Sequence, residues 1–274
     1  MSRDLPIEPL EVLFEAKRAG SADLPEPLQT LYGGGLELGD PSVYANFVST
    51  IDGVVAVPSV PRSNELVAQG SDGDRFVMGL LRASADCVLV GAGTLAGSPG
   101  GTWLAERVFP PAADAFAELR RRRGQAPRPG IAVLTGRGSI DPEHPVLGSG
   151  AVVLTSDEGA RHLAGRLPNT VEVVALGVGP RIDTRRAVEV LRERGHRRIL
   201  SEAGPHTFGS LLAADAADEL FLTISPLLLG NRGDSSRLGL VEAADLLPDG
   251  ARAEPVSVRR HEQHLFLRYE LAHT

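Results

Sequence analysis

The segment ILSEAGPHTFG, residues 199–209, places an acid and a Gly-Pro break between an apolar run and a helix-like pattern. Two other apolar runs also end in small residues, with GAGT at 91–94 and TGRG at 135–138. Glycines at such positions let the backbone approach a ligand, and the first N–H groups of a following helix attract anions. One such loop could equally be a tight turn without a ligand, but three together predict a site for a phosphate-containing nucleotide.

These loops do not match the usual nucleotide-binding or hydrolytic motifs. Gly91, Gly93 and Gly97 are spaced one residue too widely for the dinucleotide-binding fingerprint, and no G-x-x-x-x-G-K-[ST] phosphate loop occurs. The seven histidines form no H-E-x-x-H motif, and one cysteine is too few for a zinc deaminase. A G-x-S-x-G nucleophile elbow is also absent. We therefore expect no metal site and no serine-hydrolase chemistry.

Composition narrows the choice of partners and compartment. The net charge of −7 argues against a general role in binding nucleic acid or a membrane surface. No stretch approaches the ~20 apolar residues that a membrane-spanning helix needs. The single cysteine, Cys87, lies in an apolar run and is predicted to be a buried, unreactive thiol, which is compatible with a cytoplasmic protein. The basic run 120–123 is predicted to be an exposed helix end.

Strand-like and helix-like patterns alternate along the middle of the chain. Apolar or β-branched runs predict strands at 43–51, 86–93, 131–138, 151–156, 171–176, 197–203 and 219–229. Helical spacing predicts helices at 71–84, 160–167, 184–195 and 207–215. Ser71 and Asp74 resemble a capping box at the start of the first of these helices.

This alternation predicts a three-layer α/β domain, with a mostly parallel central sheet and helices on both faces. The segments VSVRR and HLFLRYEL alternate in polarity near the end of the chain, so they predict an antiparallel hairpin at one edge. Residues 42–274 are predicted to form a single domain. Residues 1–41 are predicted to form an N-terminal arm, with a short helix over Leu10–Lys17.

Three segments together resemble a known family: NFVSTIDG (46–53), GSDGDRFVMGLLRASADCVLVGAGT (70–94) and ILSEAGPHTFGSLLAADAADELFLTISPLLLG (199–230). They are similar to the reductase domain of bacterial riboflavin biosynthesis, the C-terminal half of a bifunctional deaminase–reductase. The resemblance covers roughly residues 43–271. It implies a dihydrofolate reductase-like fold, a homodimer and NADPH as hydride donor. It also implies a 5-amino-6-ribosylamino-pyrimidinedione phosphate as substrate, whose ribosyl ring is opened to a ribityl chain.

The resemblance also implies which residues bind the cofactor. The segment from Gly204 to Ser210 matches the loop and helix start that hold the diphosphate, and TGRG stands where the family meets the adenosine ribose and its 2′-phosphate. Arg137 could pair with that phosphate, or it could be an exposed loop cation. The full expected set is Gly91, Gly93, Thr94, Thr135, Arg137, Gly204, Pro205, His206, Thr207, Phe208, Gly209 and Ser210.

On the substrate side, Glu202 matches an acid of the family's cleft and is expected to bind substrate and take part in catalysis. Asp52, in the S-x-D-G motif, either caps a turn or lies near the transferred hydride. Asn46 and Ser49 lie on opposite faces of one strand, so only one of them can face the cleft. Arg75 is expected to help bind the substrate from the following helix.

Two alternatives stay open. One is a reductase of the same fold that acts on dihydrofolate or another pterin-like ring, and the other is a non-catalytic NADP-binding protein. The segment GTLAGSPGGTW (93–103) departs from the family, which often carries acids or an arginine there. Beyond the Gly-Thr pair, its polar groups are Ser98 and Thr102. This departure affects the expected identity of the substrate more than that of the cofactor.

Overall fold

A single sheet forms the centre of the protein. The computed structural model describes residues 7–16, 24–179, 182–230 and 237–273. Within these ranges the strands are β1 (Glu11–Glu15), β2 (Ser42–Ser49), β3 (Cys87–Gly91), β4 (Gly130–Thr135), β5 (Ala151–Thr155), β6 (Val171–Ala175), β7 (Arg198–Ser201), β8 (Glu219–Ile224), β9 (Ala253–His261) and β10 (His264–Leu271). Their order across the sheet is β1-β9-β10-β8-β2-β7-β3-β4-β5-β6.

The strands from β8 to β6 in this order are parallel to one another, and the pairings of β10 with β8, of β9 with β10 and of β1 with β9 are antiparallel. Tyr44 of β2 pairs with Leu200 of β7 on one side and with Glu219 of β8 on the other. The hairpin of β9 and β10 joins the sheet through an antiparallel pairing of β10 with β8. The predicted mostly parallel sheet with an antiparallel C-terminal hairpin is therefore confirmed.

The predicted helix over Leu10–Lys17 is wrong. Residues 11–15 form β1, which extends the sheet beyond the hairpin by pairing antiparallel with β9, where Glu11 lies opposite Arg260. Lys17 lies outside the described residues. An edge partner more than 240 residues away in the chain sets this structure, and a local pattern cannot reveal such a partner.

Helices cover both faces of the sheet, as predicted. They are α1 (Glu26–Tyr32), α2 (Ser63–Ala68), α3 (Asp72–Ser84), α4 (Ala92–Gly97), α5 (Ala105–Val108), α6 (Ala113–Arg122), α7 (Pro145–Gly148), α8 (Asp157–Leu163), α9 (Thr184–Glu193) and α10 (Pro205–Ala213). The buried faces of α1, α3 and α6 share one core with Tyr44 of β2. Those of α9 and α10 share the second core with the adjacent Val43. Neighbouring residues of one strand thus enter different cores, which makes three layers.

The helix α3 begins as the sequence predicts, but its cap is only half of a capping box. The Ser71 Oγ accepts a hydrogen bond from the Asp74 N–H at 3.2 Å. The reciprocal bond is absent because the Ser71 N–H donates to the Ala68 carbonyl. The Asp74 carboxyl is thus left for another use.

The prediction that residues 120–123 form an exposed helix end is wrong for Arg120, whose side chain lies inside the protein at 4% exposure. Its Nη1 donates to the carbonyls of Ala83 and Ala85, at 3.2 and 2.7 Å, and its Nε donates to the Ala126 carbonyl at 2.7 Å. The last carbonyls of a helix lack partners within the helix. Arg120 supplies donors to the end of α3.

The Cys87 thiol and the length of the helices bear on two predictions made from composition. Cys87 is buried in β3, and burial raises the pKa of its thiol to about 12, so the predicted unreactive thiol is confirmed. No helix in the described ranges combines the length and the apolar character needed to cross a bilayer.

Candidate active site

The glycine loops after β3 and β7 meet at the carboxyl end of the sheet. These strands are neighbours, and the Glu202 N–H donates to the Leu89 carbonyl at 2.9 Å. A Cβ added to Gly204 would lie 3.4 Å from the Thr94 Oγ1. The third loop follows β4, which borders β3 on its other side. The structure thus brings the three loops to one edge, where ligands of parallel α/β sheets bind.

Gly204 shapes the start of α10. Its φ of +79° lies in the region that favours glycine, and it is the residue that precedes the helix. Pro205 at the first helical position has no N–H, so the first amides free of a helical carbonyl belong to His206 and Thr207. The Phe208 N–H already donates to the Gly204 carbonyl at 3.0 Å. The helix start therefore offers two amides to an anion.

Gly91 and Gly93 have different surroundings. A Cβ on Gly91 would lie 2.6 Å from the Ala203 carbonyl oxygen, so this glycine allows β3 and the β7 loop to approach each other. Around Gly93 no atom lies within 4 Å of that position, and the residue is exposed. Gly93 therefore leaves an open surface beside Thr94, where a flat or extended ligand can lie against the backbone.

Three other residues expected to bind the cofactor have side-chain or Cβ contacts within the protein. Phe208 is buried and packs on Phe47 with ring centroids 5.2 Å apart. A Cβ on Gly209 would lie 2.2 Å from the Glu242 carbonyl oxygen. The Ser210 Oγ donates to the His206 carbonyl at 3.0 Å. Packing or hydrogen bonding within the helix therefore explains each of these residue types without a cofactor, and their cofactor roles stay predictions.

The loop after β4 is fixed to the start of α8. The Ser156 Oγ donates to the Gly136 carbonyl at 2.6 Å, and a Cβ on Gly138 would lie 2.7 Å from the Gly159 carbonyl oxygen. Thr135, at the end of β4, is buried, whereas Arg137 is exposed between the two fixed glycines. The guanidinium is thus carried by a constrained loop.

An ion pair lies beside these loops, beneath α3. The Arg82 Nε donates to one Glu202 oxygen at 3.0 Å, and its Nη2 donates to the other at 2.7 Å. The two side chains are only 12% and 10% exposed. A guanidinium bound through two parallel hydrogen bonds fixes the plane of the carboxylate. The sequence indicated Glu202, but not that Arg82 would hold it.

The strand β2 separates the two polar residues predicted for the cleft. Asn46 shares a face with Tyr44, whose Oη donates to the Leu81 carbonyl of α3 at 3.0 Å. Ser49 lies on the opposite face, buried, and its Oγ donates to the Thr50 carbonyl. Of the two, Asn46 is therefore on the side of Glu202. Arg75 is exposed, with its Nη1 3.0 Å from the Asp72 carboxylate.

The Asp52 carboxylate binds the loop that follows β8. It accepts a hydrogen bond from the Thr50 hydroxyl at 2.5 Å and bonds from the N–H groups of Leu229 and Gly230. The hydrogen bond from Thr50, together with the two backbone bonds, lowers the pKa of this carboxyl. The turn-capping interpretation thus has a geometric basis, and a role near the hydride stays a prediction.

Asp74 is the group at this site that the motif analysis missed. It is 4% exposed, yet its carboxyl hydrogen-bonds to the side chain of Thr223 on β8. Burial raises its pKa to about 6, and the nearby Glu202 charge adds to the increase. The Ser71-x-x-Asp74 spacing suggested a capping role only, and nothing else in the sequence pointed to an inward carboxyl.

A large groove lies at the opposite edge of the sheet. It has a volume of about 1320 Å³ and is lined by residues at the amino ends of β3, β4 and β7, among them Asp86, Gly130 and Arg198. We do not place the active site in this groove, because ligands of open parallel sheets bind at the carboxyl ends of the strands. An extended dinucleotide can lie on an open surface there.

Comparison with known proteins shows the family. The sequence model of the RibD C-terminal domain matches residues 41–259. A 2,5-diamino-6-ribosylamino-4(3H)-pyrimidinone 5′-phosphate reductase of Archaeoglobus fulgidus is 25% identical over 195 residues, which are 70% of this chain and 83% of that protein.

Solved structures share the fold. A pyrimidine reductase-like protein of Corynebacterium diphtheriae superposes with a TM-score of 0.68 at 21% identity, over 90% of this chain and 99% of that one. A bifunctional deaminase–reductase, diaminohydroxyphosphoribosylaminopyrimidine deaminase/5-amino-6-(5-phosphoribosylamino)uracil reductase of Thermotoga maritima, gives 0.61 at 21% identity, over 85% of this chain and 57% of that one. The three sequence motifs, the fold and the family match agree, and the chain belongs to the RibD C-terminal domain family.

Proposed function

We propose that this chain is an NADPH-dependent reductase that converts the ribosylamino group of a pyrimidine phosphate into a ribitylamino chain. The observation that carries the proposal is the meeting of the β3 and β7 loops beside the Arg82–Glu202 pair. A cofactor diphosphate at the start of α10 would lie next to a polar cleft beneath α3. The family match and the name of the A. fulgidus relative support the same reaction.

In this reaction a C–H bond forms at C1′ of the sugar, the C1′–O4′ bond breaks and the ring oxygen takes a proton. The nicotinamide supplies the hydride when the cofactor is bound. The chain's own residues bind and orient. The Glu202 carboxylate, held in one plane by Arg82, accepts hydrogen bonds from sugar hydroxyls. Asn46, on the same side of β2, offers an amide to the ring or the sugar.

Backbone amides and one cation bind the cofactor. The amides of His206 and Thr207 bind the diphosphate, and the open surface at Gly93 receives the adjoining part of the cofactor. The exposed Arg137 pairs with the 2′-phosphate, which makes NADPH rather than NADH the donor. We further propose that the protein is cytoplasmic, which its buried free Cys87 fits, and that it forms a homodimer, because the exposed edge strand β1 carries the apolar residues Val12, Leu13 and Phe14. Light scattering of wild type and Leu13→Lys tests the dimer.

Titration of NADPH fluorescence tests the division between cofactor and substrate sites. His206→Glu places a negative charge at an exposed position of the α10 start and should abolish NADPH binding. The matched His162→Glu, also exposed but on α8, should bind like wild type. Glu202→Gln should bind NADPH normally and lose turnover. Wild-type binding by His206→Glu would remove the diphosphate site from α10.

The alternatives are distinguished by substrate. NADPH oxidation is measured with the ribosylaminopyrimidine phosphates and with dihydrofolate. Turnover of dihydrofolate alone would support the pterin-type reductase, and tight NADPH binding without turnover of any ring would support a non-catalytic binding protein.

A further inference from the structure

The groove at the amino ends of β3, β4 and β7 carries an excess of positive charge. Six arginines line it, against the three acids Asp40, Asp86 and Glu106. The arginines are Arg107, Arg120, Arg123, Arg128, Arg197 and Arg198. Because the whole chain has a net charge of −7, the groove is a basic surface on an acidic protein. A local excess of this kind favours an anionic ligand.

Two of the three acids are already bound to groups of the protein. The Asp40 carboxylate pairs with Arg197 at 2.5 Å and with Arg198 at 3.1 Å. One Asp86 oxygen accepts hydrogen bonds from the backbone N–H groups of Arg197 and Arg198, and the other accepts one from the Gln125 amide. The remaining four arginines form no ion pair within the part of the chain that the structure describes.

Arg120 and Arg123 are the least accessible of these four. Arg120 is 4% exposed and donates its hydrogen bonds to backbone carbonyls. The Arg123 Nη2 donates to the Leu36 carbonyl at 3.2 Å, and its Nη1 is enclosed without a hydrogen-bond partner among the described residues. Burial lowers the pKa of Arg123, and the charges of Arg198 and Arg120 lower it further. An anion in the groove would offset this mutual repulsion.

Arg107 and Arg128 are the exposed members of the four, so their guanidinium groups are accessible to a ligand. A guanidinium can bind phosphate through two hydrogen bonds and can also stack on a flat ring. The lining includes apolar side chains as well, among them Leu104, Pro110 and Pro145. Cations beside an apolar surface suit a ligand that has a phosphate group and a flat ring. The volume of about 1320 Å³ is sufficient for a mononucleotide.

We propose that this groove is a second binding site, for a phosphate monoester of a flat heterocycle of mononucleotide size. Arg107 and Arg128 are its accessible cations, and the apolar side chains of the lining contact the ring. The groove lies at the amino ends of the strands, whereas the proposed cofactor and substrate bind at the carboxyl ends. The inference therefore goes beyond the proposed reductase function and does not depend on it.

Isothermal titration calorimetry of the full chain with adenosine 5′-monophosphate, adenosine and ribose 5-phosphate tests this site. We expect the Kd for the monophosphate to be at least about tenfold lower than for either of the other compounds. The double variant Arg107→Gln, Arg128→Gln should raise that Kd by about tenfold to a hundredfold. The double variant Arg166→Gln, Arg252→Gln removes the same charge from exposed positions outside the groove and should leave the Kd unchanged.

His206→Glu distinguishes the groove from the proposed cofactor site, to which an adenine nucleotide could also bind. This variant should keep wild-type affinity for the monophosphate. Loss of binding in His206→Glu, with wild-type affinity in the groove variant, would place the nucleotide at the cofactor site and overturn the proposal. Absence of binding by wild type, or equal affinity for adenosine, would also overturn it. Equal affinity for ribose 5-phosphate would overturn the choice of a heterocycle.

NADPH oxidation separates this proposal from the reductase function. The groove variant should reduce the ribosylaminopyrimidine phosphate at the wild-type rate, since Arg107 and Arg128 lie away from the loops after β3 and β7. Failure of the monophosphate to bind therefore leaves the reductase proposal intact. Absence of turnover in wild type leaves the groove to be judged by calorimetry alone.

Discussion

The Arg82 guanidinium holds the Glu202 carboxylate through two hydrogen bonds, of 3.0 and 2.7 Å, in a setting where both side chains are about nine-tenths buried. The pair joins α3 to the loop that leads from β7 into α10. The helix α3 therefore positions Glu202, which lies next to the proposed diphosphate site. The same ion pair thus helps to fix both the substrate side and the cofactor side.

Removing one partner of this pair should affect both stability and turnover. Arg82→Met leaves a buried carboxylate without its cation and should lower the free energy of unfolding by about 3 kcal/mol. Arg75→Met, on the same helix but in an exposed pair, should change it by less than about 1 kcal/mol. Urea denaturation measures both. Equal effects of the two substitutions would mean that the buried pair contributes no more than a surface pair.

Substitution of the glycines at the site should have two different effects, a loss of NADPH affinity at one and a loss of folding at another. Gly93→Val adds a side chain where no atom lies within 4 Å, so stability should change by less than about 1 kcal/mol while the Kd for NADPH rises at least about tenfold. Gly148→Val in α7 is the matched control, also open but at the other edge, and should leave the Kd unchanged. Gly209→Ala should instead unfold the protein, because Glu242 fills that space. Wild-type affinity in Gly93→Val would place the cofactor elsewhere.

Arg120 should be a structural residue although it lies in a run of four arginines. Arg120→Met leaves the carbonyls of Ala83, Ala85 and Ala126 without their donor and should lower the free energy of unfolding by about 3 kcal/mol. Arg121→Met is the control, since that side chain is exposed and pairs with Glu118, and it should change stability by less than about 1 kcal/mol. Thermal unfolding with equal midpoints for the two variants would contradict this role.

The sequence was sufficient for elements whose evidence is local. The fully apolar runs around Val88 and Val133 predicted buried parallel strands, and Ser71 marked the start of α3. The meeting of the β3 and β7 loops followed from a general property of parallel sheets, because the carboxyl ends of neighbouring strands share an edge.

Features that depend on distant partners could not be predicted. The strand β1 forms because β9 offers an open edge, and Arg120 is buried because the end of α3 needs donors. Asp74 turns inward because Thr223 of β8 lies beneath the first turn of α3, 149 residues later in the chain. In each case, the local pattern was compatible with a surface position, and tertiary contact decided the outcome.

The pKa of Asp74 predicts a stability profile that its substitution should abolish. Because burial raises the pKa of this acid from 3.8 to about 6, the folded state binds the proton more tightly than the unfolded state. Stability should therefore fall as the pH rises from about 4 to 6, by roughly 3 kcal/mol, and stay level above that range. The charged groups that face Asp74 are Glu202, Arg82 and Arg75.

Asp74→Asn removes the titration, so this variant should be the more stable protein at pH 8 and should match wild type near pH 4. Urea denaturation of both proteins at pH 4, 5, 6, 7 and 8 measures the difference. A difference that does not vary with pH would mean that Asp74 keeps an ordinary pKa.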